Sequence, residues 1–94
     1  MRLIKKGIAG TLESGDISVE VEARDSGGVE IELSSTVEAL FGRQLRQVIE
    51  ETLKENGVEH AVVRAGDKGA LDCTVRARVT TAIYRGAGSE DYRF

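Results

Sequence analysis

Ninety-four residues close one small hydrophobic core and leave no chain for a second domain. Thirteen Lys and Arg against sixteen Asp and Glu give a net charge of −3, which repels phosphate backbones and argues against a nucleic-acid partner. With 40% apolar and 31% charged residues, two Phe, two Tyr and no Trp, the composition is that of a folded domain with an aliphatic core.

The opening segment, Met1-Arg2-Leu3-Ile4-Lys5-Lys6, lacks the apolar run of a signal peptide or a membrane span. The single cysteine, Cys73, has no partner for an internal disulfide. Both features lead us to expect a cytoplasmic chain without membrane association. Ile8 to Leu12 is a short β-tolerant stretch, and from Ile17 to Ala23 apolar residues alternate with Ser18, Glu20 and Glu22, as in a strand buried on one face. Between them, Leu12-Glu13-Ser14-Gly15-Asp16 has the residues of a tight connection, so the spacing predicts a hairpin with Ser14-Gly15 near its tip. Asp25-Ser26-Gly27-Gly28 leads into Val29, Ile31 and Leu33 alternating with Glu30 and Glu32, which predicts a third strand and a second hairpin.

Ser35-Thr36-Val37-Glu38 has the form of a capping box and predicts a helix start. Val37, Leu40, Phe41, Leu45, Val48, Ile49, Thr52 and Leu53 form its apolar stripe, Glu50 with Lys54 its i,i+4 pair, and Asn56-Gly57 its stop. Val58 to Ala65 is β-branched at its centre and predicts a fourth strand. Ala70 to Arg85 fits either period, and its length of about four turns favours a helix. The expected fold is α+β: a small, open, mainly antiparallel sheet of about four strands with two helices on one face, in the order β-β-β-α-β-α. Residues 1–86 form the domain, and 87–94 are expected to be a flexible tail.

Few residues offer chemistry. His60, the one histidine, falls inside a predicted strand and reads as structural. Cys73 has no second thiol or imidazole at metal-ligand spacing, so no metal site is expected and the thiol reads as half-buried packing. Glu20 with Glu22 and Glu30 with Glu32 read as the solvated faces of strands rather than acid/base pairs. Gly66-Asp67-Lys68-Gly69 lacks the spacing of a phosphate-binding loop and reads as a turn with Asp67 as a possible cap. Arg76 and Arg78 beside Lys68 form a small basic face that serves either solvation or a partner. No catalytic set emerges. Ser14 remains, in an exposed turn with a flexible glycine after it and carboxylates on both sides; it lacks a base and suits only an acceptor for another enzyme's chemistry.

Two blocks are more specific. Ala9-Gly10-Thr11-Leu12-Glu13-Ser14-Gly15-Asp16, and Asp67-Lys68-Gly69-Ala70-Leu71-Asp72-Cys73 followed by Arg76-Ala77-Arg78, closely resemble the citrate lyase acyl carrier protein (gamma chain) family. The Ser34-Ser35 to Phe41-Gly42 segment and the chain length are also similar to that family, so the resemblance runs to about Gly86. It implies a non-catalytic carrier whose Ser14 bears 2'-(5''-phosphoribosyl)-3'-dephospho-CoA through a phosphodiester. It also implies three partners: the citrate lyase alpha chain, which exchanges acetyl for citryl on the arm, the beta chain, which cleaves the citryl thioester, and the prosthetic-group transferase. The Asp67–Cys73 block receives no role from the resemblance beyond fold or docking. The alternatives are the carrier subunit of malonate decarboxylase and a non-catalytic α+β interaction module.

Overall fold

The computed structural model describes residues 1–36 and 38–88, with Glu38 and Ala39 described in backbone only. Six elements follow in the expected order: β1 Gly7–Ala9, β2 Ile17–Ala23, β3 Val29–Ser35, α1 Glu38–Glu55, β4 Ala61–Asp67 and α2 Asp72–Gly86. The strands form one open sheet ordered β1-β2-β4-β3. β1 and β4 run antiparallel to β2, and β3 runs parallel to β4.

Alternation sets the layers. Ile17, Val19 and Val21 of β2 share a buried face with Ala61, Val63 and Ala65 of β4, and the register sets Val19 beside Ala65 and Val21 beside Val63. α2 lies over β1 and β2, and α1 over β3. Leu45, Val48, Ile49 and Leu53 from α1 and Val75, Val79, Ala82 and Ile83 from α2 complete the core. β1 approaches α2 so closely that a Cβ at Gly7 would lie 1.8 Å from the Ala82 carbonyl oxygen. The other sheet face is uncovered. There Arg64 gathers Glu20 at 2.9 Å, Glu22 at 3.0 Å and Glu32 at 3.2 Å, the solvated face expected of these glutamates. A helix arginine also covers each edge strand, Arg85 on the Ile8 carbonyl and Arg46 on the Ile31 carbonyl, both at 2.8 Å, which blunts edges open to strand addition.

Several boundaries differ from expectation, each for a local reason. The first strand is Gly7–Ala9 rather than Ile8–Leu12, because Gly10 at φ +85 turns the chain away and leaves Leu12 exposed. The second hairpin is absent: β4 inserts between β2 and β3. The central place goes to the strand with more to bury, since β4's inward side chains are fully covered whereas Val29, Ile31 and Leu33 are only partly so. The Asp25–Gly28 loop instead arches over the start of β4, where Ala61 N donates to Gly28 O at 3.2 Å.

Ser35 ends β3, and the helix is assigned from Glu38; the expected capping box rests on the Glu38 side chain and Val37, which lie outside the described residues. The stripe of α1 is buried from Leu45 to Leu53, but Leu40 is 80% and Phe41 50% exposed, because this first turn lies against the Asp67–Asp72 loop rather than over the sheet. Glu50 and Lys54 make no ion pair among the described residues; Arg76 of α2 pairs instead with Glu51 at 2.7 Å and Glu55 at 3.2 Å. α1 stops as Asn56-Gly57 predicts. Gly57 N donates to Lys54 O and Val58 N to Leu53 O, with Gly57 at φ +70, which is a Schellman ending. Val58 serves that ending as its buried apolar residue, so β4 begins three residues later than predicted. α2 is the helix that length favoured. Ile4 N and Lys5 N both donate to Gly86 O, at 2.9 and 3.0 Å, which ties the N-terminal segment to the end of α2. Of the expected tail, residues 89–94 lie outside the described residues.

Ile83 is fully buried on α2. Ile83→Ala is expected to lower unfolding free energy by about 2–5 kcal/mol, whereas Glu30→Ala on the uncovered face changes it by about 0.5 kcal/mol or less. Urea denaturation followed by circular dichroism measures both; equal effects contradict the assignment of the core face.

Candidate functional site

The loop from β1 to β2 ends in a tight turn. Asp16 N donates to Glu13 O at 3.0 Å, closing Glu13-Ser14-Gly15-Asp16. Gly15 holds the third position with φ +84, and no described non-glycine residue has positive φ, the pattern of a type II turn. The turn enters β2 through a bulge. Gly15 N donates to Lys68 O at 2.7 Å and Lys68 N to Asp16 O at 2.9 Å, so two residues oppose one just beyond the Ile17–Asp67 pair. Such a bulge needs a left-handed first residue, a conformation glycine takes without strain. Gly15 is therefore locked rather than flexible as expected.

The Asp16 carboxylate fastens the same turn from the side-chain layer. Oδ2 accepts from Thr11 N at 3.2 Å, Thr11 Oγ1 at 2.7 Å and Arg78 Nη2 at 3.0 Å; Oδ1 accepts from Ile17 N at 2.7 Å and Arg78 Nε at 3.0 Å. Arg78 thus grips the carboxylate with two donors in its planar fork. The Arg78 bonds, followed by those of Thr11 and Ile17, hold the Asp16 carboxyl well below the usual carboxylate range. Thr11 Oγ1 in turn accepts from Glu13 N at 3.2 Å.

On the facing strand, Asp67 is 1% exposed. It accepts from Ser35 Oγ at 2.9 Å, Gly69 N at 3.1 Å and Ala70 N at 3.0 Å. The aspartate expected as a cap therefore caps its own loop; the N-cap position of α2 is Leu71, which makes no side-chain cap bond. The Gly66–Gly69 stretch is the turn it was read to be, and its Lys68 backbone is the surface on which the serine turn is pinned.

Ser14 occupies the second position of this turn and is exposed. Its hydroxyl makes no hydrogen bond to a described residue. The nearest carboxylate in sequence on its C-terminal side, Asp16, has its oxygens occupied by the five donors above and is no base for Ser14. The arrangement is an accessible alcohol on a rigid support, and any proton acceptor must come from another molecule.

The remaining candidates are dispersed. His60 lies just before β4, exposed, and its Nδ1 accepts from Gly28 N at 2.9 Å, so it fastens a loop at the opposite end of β2 and β4. Cys73 is exposed rather than half-buried: the helical period puts it off the face of Val75 and Val79. Arg76 and Arg78 are each held by carboxylates of this chain and form no free basic face. A groove of about 440 Å³ lined by Phe41, Leu45, Ala70 and Leu71 has Gln44 and Asp72 at its edge, bonded to each other at 2.9 Å. Among the described residues no group of three His, Cys, Asp or Glu side chains converges as metal ligands, and no helix is long and apolar enough to cross a membrane. What sequence reading missed is the Asp16–Arg78 pair, 62 positions apart. The only signal for it is that Arg78 flanks the buried stripe of Val75 and Val79 on the side of α2 that meets β2.

Residues 4–86 match the family described as malonate decarboxylase delta subunit (MdcD). The chain is 52% identical over 92 residues to the citrate lyase acyl carrier protein of Streptococcus mutans, spanning 98% of this chain and 90% of that protein. It is 49% identical over 88 residues to the protein of the same name from Fusobacterium nucleatum, spanning 94% of each. A chain in the crystal structure of a Pseudomonas malonate decarboxylase hetero-tetramer in complex with malonate superposes with a TM-score of 0.72 at 20% identity, over 86% of this chain and 82% of that one. At that identity the likeness is one of fold.

The locked turn makes Gly15 sensitive to backbone rather than to space, since nothing lies within 4 Å of a Cβ built there. Gly15→Ala is expected to cost about 1–2 kcal/mol and Gly15→Asn less; equal, negligible losses in denaturant melts contradict the bulge. Asp16 carries a pH signature. Its carboxyl, depressed below the ordinary 3.8, stabilises the fold fully above about pH 4 and less as pH falls toward the depressed value. The deficit of Asp16→Asn in urea midpoint is therefore expected to shrink between about pH 4 and pH 2.5, and a deficit constant over that range contradicts the Arg78 bond.

Proposed function

Since the chain belongs to the citrate lyase acyl carrier protein family, we propose that it is the acyl carrier subunit of a citrate lyase, with Ser14 as the attachment point of its prosthetic arm. The observation that carries this is the exposed, unbonded Ser14 hydroxyl on a turn locked to Lys68 and Arg78. A phosphodiester anchor fits it: the oxygen is accessible, nothing in the chain competes for it, and Gly15 beside it leaves space. In attachment the Ser14 oxygen forms a bond to the phosphorus of an activated phosphoanhydride donor. Its proton passes to a base of the transferase, and the displaced phosphate leaves with the electron pair.

The arm, 2'-(5''-phosphoribosyl)-3'-dephospho-CoA in this proposal, supplies a terminal thiol that holds acyl groups as thioesters. The alpha and beta chains supply exchange and cleavage, and the residues of this chain hold the anchor still. Tethering keeps the acyl group at an effective concentration of roughly millimolar near both active sites. A cytoplasmic setting accords with the exposed free thiol of Cys73. Malonate decarboxylase is the second reading, favoured by the description of the matching family and by the fold likeness. The identities of 49% and 52% to citrate lyase carriers, over nearly whole chains, favour citrate lyase over it.

Co-expressed with the prosthetic-group transferase and its donor, the chain is expected to gain the mass of one arm by intact mass spectrometry. Ser14→Ala is expected to remain at the polypeptide mass. The modified chain is expected to restore citrate cleavage, and not malonate decarboxylation, to complexes depleted of their carriers. An unmodified wild-type chain, or a modified Ser14→Ala chain, overturns the assignment.

A further inference from the structure

The chain presents two similar serine turns. Glu13-Ser14-Gly15 and Asp25-Ser26-Gly27 each set an acidic residue, a serine and a glycine in a row, both serines are exposed, and both glycines have positive φ, +84 and +90. Local sequence, exposure and glycine geometry therefore do not tell an approaching enzyme which serine to modify. We propose that Arg78 is the positioning residue that makes the difference, by holding the Ser14 turn in one orientation; this rests on the assignment of Ser14 given above.

The two turns differ in what restrains them. The Ser14 turn is closed by its own Asp16–Glu13 bond, pinned by Gly15 to Lys68, and gripped through Asp16 by the two donors of Arg78. Around Ser26, the bonds among the described residues fall after the serine, at Gly28: its amide on His60 Nδ1 and its carbonyl on Ala61 N. Arg24 lies beside that turn, yet it reaches Glu30 only at 3.9 Å and leaves Asp25 without a bond. One serine thus stands on a fixed support and the other on an open arch.

Arg78 is the member of the lock that comes from outside the sheet, and a planar guanidinium meeting both carboxylate oxygens admits one approach direction. It also neutralises a carboxylate two residues from the serine oxygen, which otherwise repels a phosphate-bearing donor. Arg76, on the same helix, is a built-in control. It pairs with Glu51 and Glu55 of α1, away from the turn.

The test is the rate at which each variant takes up the arm from the transferase, followed by intact mass over carrier concentration, together with the amide chemical shifts of Ser14 and Gly15. A misplaced nucleophile loses one to two orders of magnitude in rate, so Arg78→Ala is expected to be modified about tenfold or more slowly. The shifts of Ser14 and Gly15 are expected to move while those of β3 and α1 stay. Arg78→Lys, which keeps the charge and loses the fork, is expected to fall between Ala and wild type, and it carries the test alone if Arg78→Ala does not fold. Arg76→Ala is expected to match wild type. Arg78→Ala or Arg78→Lys at the wild-type rate overturns the inference, as does equal slowing by Arg76→Ala. Failure of the Ser14 assignment itself looks different: the wild-type chain takes up no arm, or takes it up at Ser26.

Discussion

One carboxylate holds the functional end of this molecule together. Asp16 accepts five hydrogen bonds, from the loop that precedes it, from the first residue of β2 and from α2. Without that hub a seven-residue connection between a three-residue strand and a seven-residue strand has little to order it. Asp67 does the corresponding work across the ladder, using neutral donors from Ser35, Gly69 and Ala70 in place of a guanidinium. Since Ile17 and Asp67 are register partners, the two hubs stand almost side by side, and the serine turn and the loop behind it form one structure.

That construction suits a part played by a passive group. A serine that catalyses needs a base within hydrogen-bond reach and an orienter for that base. Here the adjacent aspartate is already committed to holding the turn, and the one imidazole serves a loop at the far end of the sheet. What the chain contributes is a hydroxyl whose position does not wander. An external enzyme can then align its own base and donor against it, and an arm fixed there swings from a defined pivot. Rigidity at the anchor and freedom in the arm are complementary requirements.

The elements whose physics is local were legible in the sequence. Alternation placed β2, the 3.6-residue stripe placed α1 and α2, and Asn56-Gly57 marked a helix end that the Schellman bonds explain. Glu13-Ser14-Gly15-Asp16 was legible as an exposed turn. The sheet order was not, because a period of two states which face of β3 is apolar but not which strand lies beside it; β4 took the centre through burial that only the assembled fold reveals. Val58 looked like strand and serves a helix end. Arg76 and Arg78 looked like a basic face, whereas their partners, Glu51, Glu55 and Asp16, are 21 to 62 positions away. The block from Asp67 to Arg78, which the resemblance left without a role, is the platform on which the serine turn rests.

Amide hydrogen exchange at residue resolution tests the locked turn most directly. If the account is right, the amides of Gly15 and Lys68 exchange as slowly as those of the β2–β4 ladder, while that of Ser14, between them and free of partners, exchanges at the rate of an open chain. Gly15 and Lys68 exchanging as fast as the Asp25–Gly28 arch would mean that the serine sits on a loose loop, and the support described for it does not exist.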